Sequence, residues 1–307
     1  MGDVRKSAID MVAEFMKLYP VLKPQLLQDP AFECADDSRQ WVDRMLDYHV
    51  PRGEKALFPL MESYQILKEG KELTEQEFFI TSALGCCVEW LHAYFLVLKD
   101  VTANSNTKRG QPSSFTVPKD GMINANDGLF LRNHIPRILK RRFSEKPYYV
   151  DLIHLFNEVE FKTASGLMLD FITTTEGVKD ISNYSVSGLD HLIILSMKHR
   201  QIVQYKTAYY SFYISAACAL LTSGEKLENQ VDVMNILVEM GIHYQVQGDT
   251  DIEDNKCSWL VVTALEQCNE EQKKVLLNHY GKDNPEDIAK VKALLRSSLL
   301  KIPKKLS

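Results

Sequence analysis

No pair of cysteines in this chain carries metal-ligand spacing. The six thiols, Cys34, Cys86, Cys87, Cys218, Cys257 and Cys268, are scattered without a C-x-x-C or C-x-x-H pattern, which excludes a zinc module or a disulfide framework and reads as reduced core cysteine. Equally missing are a nucleophile elbow, a Walker loop and an H-E-x-x-H helix, so the common hydrolase and nucleotide-binding chemistries have no foothold. An excess of either charge is also lacking, with 36 Lys and Arg against 41 Asp and Glu. A net charge of −5 with 25% charged residues gives no basic field to hold nucleic acid or an anionic membrane. No Gly/Ser/Pro-rich linker or shift in composition divides the 307 residues, so one domain over 1–307 is expected. Met1 to Lys17 carries Asp3, Asp10 and Glu14 and no unbroken apolar core. It reads as neither a secretory signal nor a transit peptide, and the cytoplasm is the expected compartment. Thr207 to Gly224 is uncharged, but its Tyr, Ser and Thr content predicts a buried helix and not a membrane span.

What the chain does have is helical periodicity. Val4, Ala8, Met11, Val12 and Phe15 share one stripe, and Pro20 and Pro24 are expected to stop that helix. A second helix capped at Asp36 to Ser38 runs through Trp41, Met45 and Leu46, and a third covers Ala56 to Glu69. Thr74-x-x-Glu77 forms a capping box for a long helix to Leu98. Asn126-Asp127 is expected to start a helix through Arg141. Further helices are expected over Tyr148 to Thr175, Leu189 to Thr222, Leu227 to Gln247, Asp251 to Gln267, Glu270 to Tyr280 and Pro285 to Leu300. No stretch alternates for long with strand period, so the class is all-α.

The organising stretch is Leu91 to Phe115, LHAYFLVLKDVTANSNTKRGQPSSF, where an apolar helix runs into charged residues and a basic turn. Here the chain resembles the plant-type farnesyl diphosphate synthases, in which an Asp-Asp-x-x-Asp motif precedes Arg-Arg-Gly-Gln-Pro. The second half survives as Lys108-Arg109-Gly110-Gln111-Pro112, but the motif itself reads Lys99-Asp100-Val101-Thr102-Ala103. DPAFE with DDSRQWVDRMLDY (Asp29 to Tyr48), FNEVEFKTASG (Phe156 to Gly166), RQIVQYKTAYYSFY (Arg200 to Tyr213) and DIEDNKCSWLVV (Asp251 to Val262) extend the resemblance over most of the chain. It implies the isoprenoid synthase fold, about ten helices around a central cavity, and the family's homodimer. Against it stand an apparent insertion at Gly188 to Lys198, and a lost second aspartate-rich segment at residues 248–250. A further deletion follows residue 294, and the family's Gly-Gly-Lys-x-x-Arg is altered to Arg52-Gly53-Glu54-Lys55-Ala56-Leu57-Phe58.

The family condenses isopentenyl diphosphate with dimethylallyl or geranyl diphosphate, and Mg2+ neutralises the leaving diphosphate. Magnesium demands several hard oxygen ligands, which two carboxylate clusters supply. In this chain the first and last acids of the first motif, which share a helical face, have become Lys99 and Ala103. Asp100 is the residual metal ligand, and one carboxylate is a poor magnesium site. Asp249, Asp251, Glu253 and Asp254 do not replace the second cluster as a calcium loop, since Asp254 stands where glycine is needed and Leu260 where glutamate is needed.

The resemblance assigns diphosphate contacts to Lys108, Arg109, Lys206 and Thr207, and to Lys256 after the lost segment. It places Gln245 beside the metals, His92 against isopentenyl diphosphate, and Tyr94 and Phe95 at the chain-length end of the pocket. Lys55 is a displaced diphosphate cation and Lys99 a fixed cation in the old metal position. Asp100, Lys206 and Gln245 are the expected catalytic set. The expected function is a synthase homologue with weak or no prenyltransferase activity. The alternative is a non-catalytic prenyl-diphosphate-binding protein, or the partner subunit of an active family member in a heterodimer.

Overall fold

A computed structural model describes residues 17–30, 36–50, 57–103, 107–108, 111–112, 123–175, 200–248, 261, 264–265, 267–282 and 284–299. Among these there are ten α-helices: α1 (Tyr19–Leu27), α2 (Asp36–His49), α3 (Leu57–Leu67), α4 (Glu75–Ala103), α5 (Ile123–Phe143), α6 (Tyr149–Thr175), α7 (Ile214–Thr222), α8 (Val231–Gly248), α9 (Glu270–His279) and α10 (Pro285–Leu299). A π-helical segment, Gln204–Tyr213, leads into α7, and a 3-10 turn, Leu227–Gln230, leads into α8. The described β structure is one antiparallel pair of two-residue strands, β1 (Thr107–Lys108) and β2 (Gln111–Pro112). The protein is all-α.

The chain divides into two compact units, Met1–Glu160 with Tyr210–Ile236, and Phe161–Tyr209 with Leu237–Ser307. In the first, α4 is the central helix. Its turns from Thr81 to Val88 are buried on every side, and it packs against α5, α3 and α7. A helix apolar all round belongs in the middle of a bundle. By length and composition Glu75–Lys99 could cross a membrane, but 72% of its apolar window is buried inside the protein. Cys86, Cys87 and Cys218 lie in this core, where burial pushes each thiol above its ordinary pKa. In the second unit, Val261, Ala264, Leu265, Cys268, Leu276, Tyr280, Val291 and Leu295 form a core in which α9 and α10 pack on each other.

The helix starts follow their local chemistry. Thr74 caps α4 reciprocally with Glu77: the Glu77 amide donates to Thr74 Oγ1 at 3.2 Å and the Thr74 amide donates to the Glu77 carboxylate at 3.0 Å. Asn269 and Gln272 form a second such box at the start of α9.

A helix not expected from the sequence, α1, contains Pro20 and Pro24; at Pro20 the missing N–H is one that a first helical turn leaves without a partner anyway. Two expectations are corrected. Asp127 is not a cap. α5 begins at Ile123, and Asp127 is a buried carboxylate that accepts the Trp41 indole N–H at 3.0 Å, tying α2 to α5. The helix expected through Thr222 is interrupted, since a ten-residue π segment precedes α7. The apparent insertion at Gly188 to Lys198, the acidic turn from Asp249 to Asp254 and Val4 to Phe15 fall outside the described residues.

Candidate functional site

In the first unit, α4 carries His92, Tyr94 and Phe95 past the end of the π segment. His92 Nε2 lies 2.6 Å from the Tyr210 carbonyl oxygen. A carbonyl can only accept, so Nε2 carries the proton and a neutral ring leaves Nδ1 as an acceptor. Phe95 is buried, 5.6 Å from the Tyr210 ring and 4.9 Å from the Tyr94 ring. Tyr94 faces Gly128 on α5, and burial, with the nearby Glu160 carboxylate, raises its phenol pKa. Phe156 is also buried. Lys99 is exposed near the end of α4, with Asp100 and Ala103 following in the same helix. Lys108 is paired in register with Gln111 across β1 and β2.

The second unit assembles a polar cluster around the π segment. Lys206 Nζ pairs with Asp170 Oδ2 at 2.6 Å, and both side chains are mostly shielded. Thr207, itself buried, donates its hydroxyl to Gln245 Oε1 at 3.0 Å, linking the π segment to α8. Lys162 stands over the Tyr209 ring, 4.4 Å from its centroid, and Tyr205 stacks on Tyr209 at 5.8 Å. Lys206, Thr207 and Gln245, named from the sequence, are therefore neighbours in this cluster. Asp170 was missed. Its signal was the four-residue spacing Lys162, Gly166, Asp170, which puts all three on one face of α6. Lys55, Arg109 and Lys256 lie outside the described residues.

Such an arrangement can grip an anion: a shielded ammonium and an amide NH2 are donors suited to diphosphate oxygens, and the Thr207 hydroxyl joins them once its proton turns away from Gln245 Oε1. Among the described residues no three His, Cys, Asp or Glu side chains converge as metal ligands.

Comparison with known proteins follows the same direction. The polyprenyl synthetase family model matches residues 39–298. Farnesyl pyrophosphate synthase 1 of Lupinus albus is 58% identical over 301 residues, covering 93% of this chain and 85% of that protein. Farnesyl pyrophosphate synthase 1 of Cannabis sativa is 60% identical over 303 residues, covering 94% and 86%. A solved farnesyl diphosphate synthase of T. brucei, in complex with a bisphosphonate, superposes with a TM-score of 0.82 at 26% identity over 94% of this chain and 87% of that one.

Proposed function

Because the chain belongs to the polyprenyl synthetase family, we propose that it is a farnesyl diphosphate synthase homologue that binds prenyl diphosphates and turns them over weakly or not at all. The family reaction joins isopentenyl diphosphate to dimethylallyl or geranyl diphosphate. The observation that carries the proposal is the end of α4, where Lys99 and Ala103 occupy one helical face. Asp100 is the next position in the sequence, about 100° round an ideal helix from Lys99. A cation, a methyl group and a single carboxylate do not fit magnesium, which takes six oxygen ligands and keeps near-ideal octahedral geometry.

Binding falls to the chain's own cations. Lys206 and Thr207 hold the allylic diphosphate, the Thr207 hydroxyl turning its proton from Gln245 Oε1 to the ligand. Lys99, Lys108, Arg109, Lys55 and Lys256 supply further positive charge, and His92 stands beside isopentenyl diphosphate. Tyr94 and Phe95 limit chain length. Labelled isopentenyl diphosphate with geranyl diphosphate, given to the purified native chain with magnesium, tests the reading. Product is expected to be absent or severely reduced; turnover at the rate of an ordinary family member overturns it.

The second reading, a non-catalytic prenyl-diphosphate binder or the partner subunit of an active synthase, is favoured by the charge at Lys99, because a cation there keeps an anion site that a neutral residue would lose. Under either reading the chain pairs. Phe161, Met168 and Ile172 form an exposed apolar stripe along α6, which a homodimer or a heterodimer with an active family member would cover.

A further inference from the structure

A side chain at position 166 cannot coexist with the π segment as it stands. A Cβ added to Gly166 would lie 2.2 Å from the Lys206 nitrogen, 2.6 Å from the Tyr205 carbonyl carbon and 2.8 Å from the Lys206 Cα. These are backbone atoms, so no rotamer change relieves the clash. On the same face of α6, one turn to either side of Gly166, Lys162 covers the Tyr209 ring and Asp170 holds Lys206 Nζ. On the other side Gln245 holds the Thr207 hydroxyl. Extended π helix is rare and usually no more than a single-turn bulge, so ten residues of it need outside contacts to persist.

We propose that Gly166 is a positioning residue. The missing Cβ lets α6 close onto the backbone of Tyr205 and Lys206, and that contact fixes where Lys206 and Thr207 present their donors. The consequence for binding rests on the reading of Lys206 and Thr207 as diphosphate contacts; the structural part does not. Glycine is used here for close backbone approach, at a cost in helix propensity relative to alanine.

Gly166→Ala forces the contact to open from 2.2 Å to the 3.4 Å of ordinary packing. Two measurements on the full chain follow. In amide hydrogen exchange, peptides covering Gln204 to Tyr213 should exchange roughly tenfold faster or more in the variant, while α4 peptides keep their native rates. In calorimetry with geranyl diphosphate in chelator, affinity should fall by roughly tenfold or more, in line with the cost of a misplacement of about 1 Å. Leu276→Ala, which empties the separate α9/α10 core, should lower Tm and leave that affinity unchanged, so lost stability alone does not mimic the effect.

Unchanged exchange over Gln204 to Tyr213, or an acceleration spread evenly over the chain, overturns the proposal. So does an affinity loss in Leu276→Ala equal to that in Gly166→Ala. If the native chain gives no heat with geranyl diphosphate, the diphosphate reading fails while exchange still decides the role of Gly166. Should Gly166→Ala not fold, exchange of the native chain decides: protection of Gln204 to Tyr213 as strong as that of α4 supports a seated segment, and rapid exchange there refutes it.

Discussion

Lys206 already has a carboxylate within 2.6 Å, and that contact competes with any anion the lysine would bind. In the absence of metal, a diphosphate must displace Asp170 or share the ammonium with it. Asp170→Asn should therefore raise geranyl diphosphate affinity in chelator by a few-fold, in keeping with the about 1 kcal/mol that a partly exposed pair contributes. Lys206→Ala should lower it. Calorimetry on the two variants checks this, and a weaker Asp170→Asn would show that the carboxylate helps the ligand instead of competing with it. A second residue-scale expectation concerns His134, which is buried in α5 and whose pKa is pushed down to about 4, by burial first and by Arg137 second, with Asp29 opposing. Its folded pKa lies below the unfolded value near 6.5, so the unfolded chain binds more protons between those limits. Stability from this group is complete above about pH 6.5 and is lost as pH falls toward 4, by on the order of 3 kcal/mol. Urea titrations across that window should show the slope in the native chain and a shallower one in His134→Gln.

At the scale of the element, α4 shows what the sequence could reveal. Thr74-x-x-Glu77 followed by an apolar run is a local signal, and the helix starts where it says. Thr74→Ala should cost about 1 kcal/mol in urea unfolding. The cap also resists acid. Lys68 first, then the Thr74 amide, holds the Glu77 carboxyl at about 2, so its contribution is complete above the unfolded value near 4.5 and fades only as pH falls toward 2. Other features were illegible for physical reasons. The 3.6-residue period that predicted a helix through Thr207 cannot distinguish an α from a π turn, because apolar spacing is nearly satisfied by both over two or three turns. Asp127 fits a cap by residue type, and only the packing of Trp41 from a distant helix makes it a buried acceptor. Proline reads as a stop unless the helix start is already known, and α1 starts one residue before Pro20. Asp170 was legible only once Gly166 and the π segment were seen together, since its partner lies thirty-six residues away.

For the whole molecule the proposed weak activity turns on two separate stretches of sequence. The family's magnesium clamp draws carboxylates from two distant parts of the sequence, the end of α4 and the segment that should follow Gln247. Here the first stretch reads Lys99-Asp100-Val101-Thr102-Ala103, and on the proposed reading the second is absent between Gln247 and Asp251. Stabilisation of developing charge is often the largest catalytic contribution. Losing roughly 5–7 kcal/mol of it costs about four to five powers of ten in rate. Lys99→Asp combined with Ala103→Asp rebuilds only the first cluster, so farnesyl diphosphate formation should stay at background in that double variant. The substitutions should nonetheless weaken metal-free binding of geranyl diphosphate, because they exchange a cation for two anions beside an anionic ligand. Adding back the acidic block between Gln247 and Asp251 is the further requirement. The labelled isopentenyl diphosphate assay, run on native chain, double variant and block-restored variant, separates the cases. Recovery of turnover in the double variant alone would mean that one carboxylate cluster suffices and would overturn the two-cluster argument.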